Sequence, residues 1–300
     1  MTPSFTSAAT LDDALAAVAS GARPVAGGTD LVVGARQGKA PLPEDIVAID
    51  RVEGLRSLEI SAAGVRLGTL VTHGDIVANA DIRDRFTALA DASAIVGSHA
   101  TRAQGTIGGN VMNASPAMDT GGPLLCFDAT VTLRSAAGER TIGLDALWTG
   151  PGKTSAAPDE LLVAVDLPAP VGGTGSCYVR LEYRRQMEIA VVGATAVVVL
   201  DGDVTDARIA ITALTPTIRR VPEAEAALVG SAADADAVRA AARAAAAAAT
   251  PISDVRASAD YRRAMAEVMA SRAITAALTR ARGGSVPIPA SPALYGAKES

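Results

Sequence analysis

Pro24-Val25-Ala26-Gly27-Gly28-Thr29-Asp30-Leu31-Val32-Val33 begins apolar, passes through a Gly-Gly turn and turns apolar again. It reads as a strand ending at Val25-Ala26, a tight turn, and a helix starting at Leu31. Such a turn bares consecutive backbone N–H groups, and glycine lets a ligand come within hydrogen-bonding distance of them. The guest that suits these amides is an anion such as a diphosphate, held also by the N-terminus of the following helix. A second stretch, Gly105-Thr106-Ile107-Gly108-Gly109-Asn110, repeats the Gly-Gly pair beside a threonine. Most single glycine pairs are merely turns; the two together read equally as plain surface turns or as one dinucleotide gripped from both sides.

Composition sets the surroundings. The 300 residues exceed one average domain and predict two or three compact units. Hydrophobic residues make up 49% of the chain, much of it alanine, which is enough to build cores. A formal net charge of −5 argues against nucleic-acid binding, which needs a basic face. The valine-rich run from Ala190 to Leu200 is well short of the roughly 20 residues a bilayer span requires. No secretory signal is expected either, since the N-terminus lacks a basic start and Asp12 and Asp13 interrupt its apolar pattern. Cys126 and Cys177 form no Cys-x-x-Cys pair and read as ordinary thiols of a cytoplasmic protein. An iron–sulfur cluster normally takes four thiolates, so this chain alone cannot host one.

Along the chain, Thr10-Leu11-Asp12-Asp13 resembles a capping box, followed by Leu11, Ala14, Leu15 and Val18 at helical spacing. With the buried strand expected at Ile46–Ile49, residues 1–55 form a small α/β unit. Residues 56–173 change texture. Strands are expected at Val65–Leu70, Thr130–Arg134, Arg140–Ile142 and Leu161–Leu167, with helix over most of Ile82–His99. The aperiodic Ala169–Gly175 stretch reads as a linker, placing the main domain boundary near residue 173. Beyond it, Cys177–Tyr183, Ala190–Leu200 and Ala207–Leu214 predict an antiparallel meander turning at Asp201-Gly202-Asp203. Helices follow over about 222–282, among them the strongly helix-forming Ala244–Ala249. There Tyr261, Met265, Val268 and Met269 share one helical face and are expected in the core.

Hydrolytic machinery is poorly supported. His73 and His99 are the only histidines, no HExxH or GxSxG motif occurs, and both histidines read as structural. Gly150-Pro151-Gly152-Lys153-Thr154 imitates the end of a Walker A loop, but Leu147 stands where its first glycine belongs. Neither glycine turn fits the GxGxxG dinucleotide fingerprint.

Taken in order, five signals resemble the FAD-binding (medium) subunit of molybdenum-containing hydroxylases, the carbon monoxide dehydrogenase and xanthine dehydrogenase family. They are Val25–Leu31; Gly105–Asn110 with Ala114-Ser115-Pro116 and Asp119; Glu160-Leu161-Leu162 through Pro168; Met187–Gly193; and Pro251–Arg256 with Tyr261-Arg262-Arg263. The resemblance implies an α+β protein. A PCMH-type FAD-binding domain would occupy 1–173, with subdomains 1–55 and 56–173. A C-terminal domain would occupy 174–300, its antiparallel sheet at about 176–214 before the helices.

The same resemblance implies site roles. Val25, Ala26, Gly27, Gly28, Thr29 and Asp30 would hold the FAD diphosphate and ribityl from one side, and Thr106, Gly108, Gly109 and Asn110 from the other. Asp119 would accept hydrogen bonds from ribityl or ribose hydroxyls, with Asn113 adding a polar contact. The residue-level alternative for Asp119 is a helix N-cap. Leu162 would form an apolar wall, Val96 would pack near the ring, and Arg180 would place a cation near the flavin. Arg184 and Arg185 read as a solvated strand edge. Thr29 stands where covalent flavin binders of the wider fold often carry histidine, so noncovalent FAD is expected; Glu188 replaces the usual Asp.

No catalytic residue or metal ligand is assigned to this chain. The partners implied are a large subunit with the molybdenum cofactor and a small subunit with 2Fe–2S clusters, assembled as a dimer of heterotrimers. The location implied is cytoplasmic, free or held at the inner face of the membrane through the complex. A self-contained FAD-dependent reductase of related fold and a non-redox nucleotide-binding scaffold remain the alternatives.

Overall fold

A computed structural model describes residues 4–38, 40–184 and 187–291. Strands β1 (Ser4–Ser7), β2 (Arg23–Val25) and β3 (Asp45–Ala48) form a parallel sheet in the order β1-β3-β2. Parallel neighbours need crossovers, here the helices Leu11–Ala19 and Leu31–Arg36. The first helix starts at its capping box: Asp13 N–H donates to Thr10 Oγ1, and Thr10 N–H to the Asp13 carboxylate, both at 3.1 Å. Ala14, Leu15 and Val18 are its buried face.

The second sheet is antiparallel. It comprises β4 (Leu58–Ser61), β5 (Gly64–Gly68), β6 (Thr130–Ser135), β7 (Gly138–Gly143) and β10 (Leu161–Pro168), ordered β4-β5-β10-β6-β7. A short hairpin, β8 (Trp148–Gly150) and β9 (Lys153–Thr154), precedes β10. Central strand β10 serves two cores. Leu161 and Val163 pack with Leu55 and Leu70 under the first sheet, whereas Leu162 and Val165 join the main core. A register shift between Leu162 and Ala164 puts Leu162 and Val165 on one face despite their odd spacing. The helical stretch expected over Ile82–His99 is divided at Phe86, whose buried ring packs edge-on against Phe127 at 5.0 Å.

The third sheet is the expected meander: β11 (Thr174–Leu181), β12 (Val192–Asp201), β13 (Asp203–Thr212) and the short β14 (Arg219–Arg220). The helices Pro222–Ala226, Ala235–Ala247 and Ala259–Ala281 pack against it.

One expectation about the long helix is corrected. Tyr261 is exposed and Met265 and Val268 are only partly buried; the buried face runs through Arg262, Ala266, Met269, Ala270, Ala273 and Ala277. Alanines allow a backbone approach that larger side chains would prevent. A Cβ added at Gly175 of β11 would lie 2.2 Å from the carbonyl oxygen of Ala277.

The main core does not stop at the linker, since Tyr178, Val197, Ala210 and Ile218 belong to the same cluster as Leu67, Leu89 and Leu133. A buried carboxylate ties the same parts together. Asp91 accepts from Arg280 Nη1 at 2.6 Å, from Tyr178 N–H at 3.2 Å and from Ala290 N–H at 3.0 Å. Burial pushes the Asp91 carboxyl up, and Arg280 and the two amides pull against that.

Candidate functional site

The first turn leaves the parallel sheet where Ile49 N–H donates to Val25 O at 3.0 Å. Gly28 takes φ +67°, in the left-handed region that glycine occupies without strain. Among the described residues, nothing accepts from the amides of Gly27, Gly28 or Thr29. These three consecutive N–H groups, on half-buried residues, therefore stand without an acceptor among the described residues.

The second turn lies against the first. A Cβ built on Gly27 would sit 1.8 Å from the carbonyl oxygen of Gln104, so only glycine permits this seating. Asn113 Nδ2 donates to Asp30 Oδ2 at 3.3 Å, spanning the two turns through their side chains. Behind them, residues 69–73 are stitched to 105–108: His73 N–H donates to Gly105 O at 3.0 Å, Ile107 N–H to Val71 O at 2.8 Å, and Gly108 N–H to Thr69 O at 3.0 Å.

Those bonds separate the roles of the two turns. The amides of Ile107, Gly108, Gly109 and Asn110 all have protein acceptors, Gly109 and Asn110 bonding to the Oγ1 and carbonyl of Thr106. Expectation placed bare amides on both turns; among the described residues the geometry leaves a run of three on the first, and on the second only that of Thr106. Thr106 is instead the N-cap of the helix Ile107–Asn113. Gly108 is a packing glycine, since a Cβ there would fall 1.7 Å from Thr69 Oγ1. Gly109 is exposed and contacts nothing nearer than its own cap. Asn110 accepts at Oδ1 from Thr120 Oγ1 at 2.6 Å, and among the described residues nothing accepts from its Nδ2.

The other expected residues fall elsewhere or deeper. Asp119 does not cap a helix; the N-cap of Gly121–Cys126 is Thr120. Its Oδ1 accepts from Tyr178 Oη and its Oδ2 from Arg180 Nη1, both at 2.6 Å. Arg180 is fully buried, and its Nε donates to Glu182 Oε2 at 2.6 Å. Its guanidinium thus stands inside an ion-pair cluster between β11 and the Asp119 loop. Burial pushes the Asp119 carboxyl up, against the pull of Arg180 and Tyr178. Leu162 is likewise enclosed, a core residue of β10.

Val25 and Ala26 are half-buried at the mouth of the first turn. Val96 is half-buried and its carbonyl accepts from Arg102 at 3.1 Å. Arg184 is exposed and pairs with Glu188 at 3.4 Å. Arg185 lies outside the described residues.

Sequence reading missed Tyr178, Glu182 and the Gln104 carbonyl. Tyr178, Arg180 and Glu182 recur with period two, so strand alternation alone placed them on one face. No sequence signal marks Gln104, whose backbone rather than side chain meets the first turn. A cleft lined by Leu125, Asp128, Asp145 and Arg220 shares no residue with either turn. Among the described residues, no three His, Cys, Asp or Glu side chains converge on a metal-sized site.

Comparison with known proteins agrees with this architecture. Residues 2–170 match the family described as the FAD binding domain in molybdopterin dehydrogenase, and residues 178–277 the CO dehydrogenase flavoprotein C-terminal domain. The carbon monoxide dehydrogenase medium chain of Hydrogenophaga pseudoflava is 32% identical, over 79% of this chain and 83% of the relative. The 6-hydroxypseudooxynicotine dehydrogenase complex subunit alpha of Paenarthrobacter nicotinovorans is 34% identical over 87% and 88%. A solved structure of carbon monoxide dehydrogenase from Hydrogenophaga pseudoflava superposes with TM-score 0.88 at 31% identity, covering 93% of this chain and 99% of that one. The chain therefore belongs to the FAD-binding subunits of the molybdenum-containing hydroxylase family, as an oxidoreductase component.

Proposed function

We propose that this chain holds FAD noncovalently against its two glycine turns. It serves as the electron-transfer subunit of a molybdenum hydroxylase complex. The observation that carries the reading is the set of free amides at Gly27, Gly28 and Thr29, which suits a diphosphate, beside the open surface at Gly109. Asp30 and Asn113, joined across the turns, suit sugar or ribityl hydroxyls; a carboxylate accepts from a hydroxyl but repels a phosphate. Position 29 supplies a threonine hydroxyl rather than a histidine nitrogen for covalent attachment, consistent with noncovalent binding.

When bound, FAD exchanges single electrons with iron–sulfur centres and two electrons with an acceptor such as NAD+, a quinone or oxygen. The residues of this chain bind and orient, and no general acid or base is required of them. The buried Asp119–Arg180–Glu182 cluster contributes rigidity and local charge behind the site rather than a direct contact. The partners in this reading are a large molybdopterin-binding subunit and a small 2Fe–2S subunit, as a dimer of heterotrimers, with residues 1–173 and 174–300 as the two domains. Relatives named as medium chains and complex subunits support it.

Purification of the tagged native protein tests both halves. Visible flavin absorbance with co-purifying molybdenum and iron–sulfur chains is expected. A colourless preparation would overturn the flavin site, and a lone chain with full dehydrogenase activity would overturn the subunit role.

A further inference from the structure

Strand β11 is an edge of the third sheet, and an edge strand carries backbone groups that no neighbouring strand pairs. Here side chains take them. Ser176 O accepts from Arg280 Nη1 at 2.7 Å, Tyr178 N–H donates to the Asp91 carboxylate at 3.2 Å, and Arg180 N–H donates to Ser291 Oγ at 3.0 Å. Ser291 is 1% exposed and belongs to a segment, residues 286–291, that returns across the protein after the long helix ends at Ala281.

That segment touches both halves of the chain. Arg280 Nη2 donates to the carbonyls of Val286 and Pro287 at 3.1 and 3.2 Å, and Ala290 N–H donates to Asp91 Oδ1 at 3.0 Å. Ile288 packs on the main core, whereas Val286 and the buried Ala290 join the core of the third sheet. Residues 284–289 form neither helix nor strand, so this handful of contacts is their hold. Segments held in this way open locally at lower cost than the rest of a fold.

A run of direct contacts leads from the segment to the glycine turns. Arg180, whose amide Ser291 holds, grips Asp119 through Nη1 at 2.6 Å. The next residue, Thr120, donates to Asn110 Oδ1 at 2.6 Å. Asn113, on the same helix as Asn110, donates to Asp30 of the first turn at 3.3 Å.

We infer that residues 286–291 are a strap whose closure over the edge of β11 is coupled to occupation of the flavin site. The strapped chain binds FAD more tightly, and bound FAD in turn holds the strap down. This rests on the flavin site proposed above. Coupling of two sites is reciprocal, and a segment that merely stabilises the fold has no such dependence on the ligand.

Hydrogen–deuterium exchange of the purified full chain, with and without saturating FAD, reads the coupling directly. Exchange across 286–291 should slow about tenfold when FAD binds, with the distant turn at Asp201-Gly202-Asp203 as the unchanged reference. A chain ending after Ser285 should bind FAD about tenfold more weakly than one ending after Ser291, measured by fluorescence quenching on flavin-stripped protein. Ser291→Ala should shift the Kd the same way by less. Equal affinity of the two shortened chains, or unchanged exchange at 286–291, would overturn the strap. Should the chain ending after Ser285 not fold, Ser291→Ala decides: weaker FAD binding than wild type supports the coupling, and equal binding overturns it. A wild type that takes up no FAD overturns the flavin site and the coupling together, whereas tight wild-type binding with unchanged exchange overturns the strap alone.

Discussion

Gly27→Ala perturbs the seam between the two turns with a single methyl group. The added Cβ would lie 1.8 Å from Gln104 O and 2.6 Å from Gln104 C, both backbone atoms that no rotamer change can move aside. Reaching an ordinary contact near 3.4 Å requires the turns to part by about 1.6 Å. Overpacking of this kind costs about 1–3 kcal/mol of stability, which a chain of this size can absorb. The effect on ligand binding is larger in proportion, since misplacing binding groups by about 1 Å can cost a hundredfold. The expected result is a folded protein with a slightly lower Tm and a flavin-to-protein absorbance ratio far below wild type. Wild-type flavin occupancy in Gly27→Ala would refute the argument that the close seating of the turns shapes the site.

Gly28→Val and Gly109→Val should each abolish flavin retention while leaving the fold largely intact, read by the same absorbance ratio. At Gly28 the positive φ adds about 1–2 kcal/mol of strain, whereas Gly109 faces open surface, so only the former should lower Tm clearly. Asp91→Ala should destabilise by about 3–5 kcal/mol, measured as a shifted urea midpoint, because Arg280 would be left charged and buried without its partner. Burial and the nearby Arg102 guanidinium hold the His73 imidazole down, so the folded protein takes up a proton there near pH 4 and the unfolded chain near 6.5. Its contribution is therefore intact above about pH 6.5 and is lost as pH falls toward 4, by up to about 3 kcal/mol. Asp91 and Asp119, whose carboxyls are pushed up, act in the opposite sense. The difference in urea midpoint between wild type and His73→Phe, at about pH 7.5 and about pH 4.5, isolates the histidine; a pH-independent difference would contradict this sign.

Local signals in the sequence carried much of the fold. The Thr10–Asp13 capping box and the meander turning at Asp201-Gly202-Asp203 join near neighbours in the chain, and the strand through Leu161–Leu167, though paired with residues far away in sequence, shows as an apolar run ending at a proline, so periodicity and turn chemistry expose them. The register of the long helix was not legible. Which of its faces is buried depends on how closely β11 approaches, and the alanines that permit this carry little hydrophobic signal.

The glycine turns divide along the same line. From the residues alone, two Gly-Gly turns and their kinship to a flavoprotein family could be read, because glycine's missing Cβ is a property of the residue itself. Only the folded chain decided that Gly27 exists to admit Gln104, Gly108 to admit Thr69, and that the run of three free amides lies on the first turn. It likewise drew Arg180 and Asp119 into a common buried cluster and left His73 Nδ1 without a partner among the described residues. The physical reason is that burial and hydrogen-bond satisfaction are set by neighbours dozens of residues away, which no local pattern encodes.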